Sequence, residues 1–194
     1  PDTSEETLNA YYEKHKDNYK HEEEQAVLNY IQIPLVATSR DSAIAKKTID
    51  DVYDELKGGE DFDYLARAYS EDYRSADQGG DMGFFPESVL EGKFDTVFSA
   101  LKPEEFSKPF LVGNGWHIVK LIETQMTGDT LLLHGAHIFA QIMPRETTRD
   151  SVRSLADKIW NIADSVGLKA ALDSLKLADF NIQTTSPFGR NGAI

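Results

Sequence analysis

The side chains in this 194-residue chain with the types and spacing for chemistry fall in two short stretches. Residues 70–84 read Ser-Glu-Asp-Tyr-Arg-Ser-Ala-Asp-Gln-Gly-Gly-Asp-Met-Gly-Phe and carry Asp72. Residues 115–120, Gly-Trp-His-Ile-Val-Lys, place His117 on a β-rich run. A carboxylate beside an imidazole orients the ring and fixes its tautomer. A histidine on a half-buried strand is, by itself, more often a hydrogen-bonded core residue than a catalyst. The sequence has no cysteine, which excludes thiolate nucleophiles, disulfides and Cys-ligated metals within it. His134 and His137 stand at i, i+3, but on a strand they point to opposite faces, so no metal site is expected.

Composition bounds the rest. An apolar content of 40% with mixed charges is ordinary for a folded globular protein. The net charge of −13 argues against nucleic acid, whose phosphates need clustered Lys and Arg, and against anionic lipid surfaces. Absent cysteine fits an oxidising compartment. The opening at Pro1 and the ending Gly192-Ala193-Ile194 are expected of a piece of a longer protein.

These residues must be held by regular elements. Thr3-x-x-Glu6 reads as a capping box for a helix over 4–19, with Leu8, Tyr11, Tyr12, His15 and Tyr19 on one face. His21-Glu-Glu-Glu24 is a polar break, and Val27–Ile33 reads as a strand. A helix runs from Ser39 to Lys57, with Ala45, Thr48, Ile49, Val52 and Leu56 as its buried stripe, closed by Gly58-Gly59. Asp61 caps a shorter helix, and another spans about 94–101. Phe106–Val112 and Trp116–Glu123 are strands joined at Gly113-Asn114-Gly115. The predicted fold is α+β: an antiparallel sheet with flanking helices. A linker is predicted at 124–129. Beyond it come a strand over 131–143 broken by Gly135, a helix over 148–166 and a helix over 168–175. Ala136-His-Ile-Phe echoes Asn29-Tyr-Ile-Gln at an offset of about 107 residues.

The Gly-Gly-Asp-Met-Gly segment and the Gly-x-His-Ile strand, in this order, resemble the parvulin type of prolyl cis/trans isomerase over about 100 residues. The flanking parts resemble the periplasmic chaperone-isomerases of the SurA and PpiD type. The resemblance implies rotation about Xaa-Pro bonds, with no cofactor and no metal. It implies Asp72 and His117 as catalytic residues, and places Tyr30 where the family has its first histidine. Tyr30 has one hydroxyl and cannot reproduce a histidine pair, so reduced activity is expected. Met82, Leu90 and Phe94 match the pocket for the proline ring, and Phe84 and Asn114 join them as candidate substrate-binding residues. The implied partner is unfolded or proline-containing polypeptide, and the implied location is the bacterial periplasm or envelope. The alternative is a parvulin-fold chaperone or scaffold that binds polypeptide without isomerase activity. The expected domains are a helix and linker at 1–24, the isomerase at 25–124 and a partial second parvulin-like unit at 131–194. Uncovered edges on such a half-domain favour self-association.

Overall fold

Thr38 and Asp41 start the helix that carries the main core. The Thr38 hydroxyl accepts from Asp41 N, and the Asp41 carboxylate accepts from Thr38 N at 2.7 Å, a reciprocal cap. Behind it Ala45, Ile49, Val52 and Leu56 recur at helical spacing and are all buried.

The computed structural model describes residues 4–19 and 25–189. In chain order the elements are α1 Glu5–His15, β1 Gln25–Ala26, β2 Asn29–Tyr30, α2 Ser39–Lys57, α3 Phe62–Tyr69, β3 Asp81–Pro86 and α4 Gly92–Phe98. They continue with β4 Phe110–Val112, β5 Gly115–Thr127, β6 Thr130–Gln141, α5 Glu146–Val166, α6 Leu168–Ser174, β7 Gln183–Thr184 and β8 Phe188–Gly189. Ser4, rather than Thr3, is the N-cap of α1. Thr3 and the polar break at 21–24 lie outside the described residues.

The chain divides into two compact units, Leu35–Val152 and Pro1–Pro34 with Arg153–Ile194. The first holds a four-stranded antiparallel sheet in the order β3-β6-β5-β4. On one face, α2 and α3 pack over Ile118, Ala136, Ile138 and Ala140. On the other, Phe98, Phe110, Val119, Leu121 and Leu133 form a second cluster joined by Leu90 and Phe94.

The boundary expected at 124–131 is not where the units part. Residues 124–127 are the end of β5, which turns at Gly128-Asp129 into β6. Gly128 has φ +61°, the left-handed conformation a tight hairpin asks for. β6 is unbroken at Gly135 and is a central strand of the four-stranded sheet, pairing Ile118 with Ile138 and Val119 with His137. The polar Thr-Gln-Met-Thr stretch reads as a linker because its side chains are solvated, yet its backbone pairs throughout. The strand expected over 27–33 belongs instead to the second unit. There β2 pairs with β7, Tyr30 opposite Gln183, and β1 pairs with β8.

Candidate active site

The loop after α3 lies along β6 and is tied to it residue by residue. Ser70 Oγ accepts from Phe139 N at 3.1 Å, and Glu71 N donates to Phe139 O at 2.7 Å. The Glu71 carboxylate accepts from Gln141 N at 2.6 Å and pairs with the Arg145 guanidinium. His137 N donates to Gly80 O at 2.8 Å. Gly80 has φ +80°, and a Cβ there would sit 2.3 Å from the His137 carbonyl oxygen. Only glycine permits that approach, so the Gly-Gly pair fixes how closely the loop meets the strand.

This docking brings Asp72 to β6. His137 Nε2 lies 2.7 Å from Asp72 Oδ2 and 3.1 Å from Ser75 Oγ, and Ser75 Oγ donates to the same carboxylate oxygen at 2.9 Å. Burial pushes the Asp72 carboxyl up. Hydrogen bonds from His137, Ser75 and the Arg74 backbone outweigh it and bring the pKa down to about 2. A carboxylate only accepts, so His137 carries its proton on Nε2.

His117 comes from the neighbouring strand β5. Its ring centroid is 6.0 Å from that of His137, with planes inclined at 29°. Phe139 stacks at 4.7 Å, Phe110 at 5.7 Å, and Phe94 meets the ring edge-on at 5.0 Å. His117 is buried, and among the described residues its Nδ1 has no hydrogen-bond partner. Burial first, then the charge on His137, lowers its pKa to about 4, so the ring is neutral at neutral pH.

The structure therefore brings Asp72, His117, Leu90 and Phe94 into one region and does not bring all the expected residues there. Tyr30 is in the other unit, and the position expected for it is taken by His137. Met82 is partly exposed and its methyl group approaches Gly135, on the same strand as His137. Phe84 stacks on His134 at 4.6 Å, and His134 bonds Asp81 at 2.8 Å. Since His134 and His137 are three apart on a strand, Phe84 is on the opposite face from the cluster. Asn114 lies in the exposed turn between β4 and β5, where its carbonyl accepts from Ile142 N at 2.7 Å. The expectations missed His137, Ser75, Phe110 and Phe139. The one signal for His137 was the echo of Asn29-Tyr-Ile-Gln by Ala136-His-Ile-Phe.

Taken together, the cluster offers a neutral imidazole in an aromatic wall beside a second imidazole anchored to a carboxylate. Among the described residues no group of three or more His, Cys, Asp or Glu is placed to hold a metal. Such a site can desolvate and hold an apolar ring and direct a hydrogen bond at it.

Residues 9–123 match the family described as Rotamase: PPIC-type PPIASE domain. That span includes the strand with Tyr30 and stops short of β6. The chain is 36% identical over 118 residues to a foldase protein PrsA of Caldanaerobacter subterraneus, covering 60% of this chain and 34% of that protein. It is 37% identical over 95 residues to a chaperone SurA of Xylella fastidiosa, covering 49% of this chain and 20% of that one. A crystal structure of peptidylprolyl isomerase PrsA from Bacillus anthracis is 22% identical, covering 90% of this chain and 70% of that one, with a TM-score of 0.28. The chain thus spans about a third of the matched foldase and a fifth of the matched chaperone.

Proposed function

The chain belongs to the PPIC-type rotamase family, and from that premise we propose that the unit Leu35–Val152 is a peptidyl-prolyl cis-trans isomerase acting on extended polypeptide within a folding factor. The observation that carries the reading is the His117–His137–Asp72 cluster walled by Phe94, Phe110 and Phe139. Rotation at Xaa-Pro faces a barrier of roughly 20 kcal/mol, set by the partial double bond of the amide. No covalent step is needed. The apolar wall, with Leu90 and Met82, receives the proline ring and strips water from the preceding carbonyl, which favours the less polar twisted amide. As rotation localises the lone pair on the proline nitrogen, a fixed donor aimed at it stabilises the transition state. His117 is the candidate donor. Asp72 and Ser75 hold His137, and His137 braces His117 as a positioning residue.

On this reading the rate owes nothing to Tyr30, which sits in the other unit. The client class, extended or unfolded polypeptide containing proline, is supported by similarity to a foldase and a chaperone. An exported location, periplasmic or at the envelope, is supported by the absence of cysteine and by the same resemblance. Cell fractionation of the native protein checks the location.

The test of activity is a proline-isomerisation assay with the whole chain, beside His137→Ala and His117→Ala. Acceleration that falls in both variants supports the reading. No acceleration at high protein concentration, with peptide still bound, moves the unit to the non-catalytic chaperone alternative.

A further inference from the structure

The second unit, residues 1–34 with 153–194, repeats the helix pair and one strand pair of the isomerase unit. α5 begins at Glu146, as far from His137 as the start of α2 at Ser39 is from Tyr30. The strand after the two helices also corresponds. In the isomerase unit β6 pairs Ala136 with Asp81, Leu133 with Phe85 and Leu132 with Pro86. In the second unit Asn29, which stands for Ala136, pairs with Thr184. Ala26 and Gln25, standing for Leu133 and Leu132, pair with Phe188 and Gly189. Even the irregularity is repeated: four residues on one strand face five on the other, Asn29–Ala26 against Thr184–Phe188 and Ala136–Leu133 against Asp81–Phe85. The sequence carries little trace of this, since 183–189 share only Phe188 with the matching 80–86.

The copies differ at the other edge. In the isomerase unit β5 covers the second edge of β6 along its length. In the second unit, among the described residues, β2 has a partner strand on one side only. Leu28 exchanges bonds with Thr185, so the alternate residues Asn29 and Ile31 turn their backbone groups to the bare edge. Beside that edge lies a cleft of about 530 Å³, walled by Ile31, Ile33, Ala156, Ile159, Trp160 and Ala163. Ala156, Ile159 and Ala163 stand for Ile49, Val52 and Leu56, which in the isomerase unit belong to the buried core completed by Ile118 of β5. Trp160 stands for Tyr53, which packs edge-on against Phe106, just before β4, at 6.0 Å. Trp160 has no such cover and is 73% exposed.

We propose that this cleft receives a β-hairpin of the β4–β5 type, carried by the same polypeptide outside residues 25–189. It pairs antiparallel with the bare edge of 29–33, sets an aliphatic side chain at the position equivalent to Ile118 and lays an aromatic ring against Trp160. The repeat argues for the same polypeptide. The isomerase unit draws its hairpin from its own chain, and the cleft asks for two side-chain types at fixed register, which clients of varied sequence do not supply. The inference rests on the repeat and stands whether or not the isomerase unit is active.

The test is hydrogen–deuterium exchange on the full-length native polypeptide at two protein concentrations, with and without a proline-containing peptide. The expected result is that the amides of Asn29 and Ile31 exchange roughly a hundredfold more slowly than in an unfolded chain, at both concentrations and without peptide. Unprotected amides overturn the proposal. Protection that rises with concentration overturns it in favour of a second copy, and protection that needs the peptide overturns it in favour of a client. Maleimide labelling gives a second readout that does not depend on assigning amides. Cysteine at Trp160→Cys should react about tenfold more slowly than at the exposed Val166→Cys, and equal rates count against a covered cleft.

Discussion

The two units place the same kind of strand in different company. In Leu35–Val152 the strand carrying His137 has partners on both edges and helices α2 and α3 over one face. In the other unit the strand carrying Tyr30 has a partner on one edge, and the helix residue Trp160 is left in solvent. The geometry of the His117–His137–Asp72 cluster depends on that closure. A histidine on the edge left open in the other unit would lack the β5 neighbour that supplies His117. Within the closed unit, Asp41 joins the start of α2 to the stretch after β6. Its carboxylate accepts from Thr38 N, Thr38 Oγ1 and Thr148 Oγ1 at 2.7 Å each and from Arg145 N at 2.9 Å. These donors, the Thr38 backbone foremost, hold Asp41 well below the usual carboxylate range.

The sharpest contrast is expected between aromatic truncations in the two units. Phe94→Ala should cost about 3 kcal/mol of stability, because Phe94 packs into the aromatic wall against Phe110 and His117. Trp160→Ala, tested in residues 1–194 without the proposed hairpin, is a change at a largely exposed residue and should cost well under 1 kcal/mol of stability, as is usual for surface changes. Denaturant unfolding of both variants checks this, and equal losses would erase the distinction between a closed and an open unit.

Next in size is the effect on rate. His137→Ala should lower isomerisation roughly tenfold to a hundredfold, about 1.4 to 2.7 kcal/mol of transition-state stabilisation. Asp72→Asn, which leaves a weaker acceptor for His137, should show a smaller loss in the same assay. Asp41→Ala removes a buried acceptor of four hydrogen bonds and should lower the melting temperature by about 5 °C or more, measured by calorimetry.

Acidification gives a gentler test. His117 is held near 4 in the fold, below its ordinary 6.5. Between those values the unfolded chain binds a proton that the folded chain refuses, so stability falls as pH drops through that window. Asp72, held near 2 against an ordinary 3.8, adds a loss only as pH falls below its ordinary value. The melting temperature of His117→Phe should therefore vary less between pH 6.5 and 4 than that of the parent chain. The smallest expected effect is that of Tyr30→His, which should leave the isomerisation rate unchanged. A rise would return residue 30 to the site.

Much of this was legible in the residues themselves. The periodicity of Ala45, Ile49, Val52 and Leu56 specifies α2, because a helix buries every third or fourth residue whatever surrounds it. The Gly-Gly pair and Asp72 mark the loop, because the backbone at Gly79 and Gly80 needs positive φ wherever the loop docks. The motif Gly-Trp-His-Ile marks the strand with His117. Tertiary contacts alone select which of two similar strands, 27–33 or 130–141, lies beside that histidine. Strand pairing is non-local: its hydrogen bonds run between backbones and say nothing of sequence distance, and both strands mix apolar and polar side chains on each face. The choice rests on long-range contacts that local sequence does not encode: the β5–β6 hairpin, the loop bonds to Phe139 and Gln141, and the Asp41 cap on Arg145 and Thr148. They put His137 where a reading of the chain in order puts Tyr30.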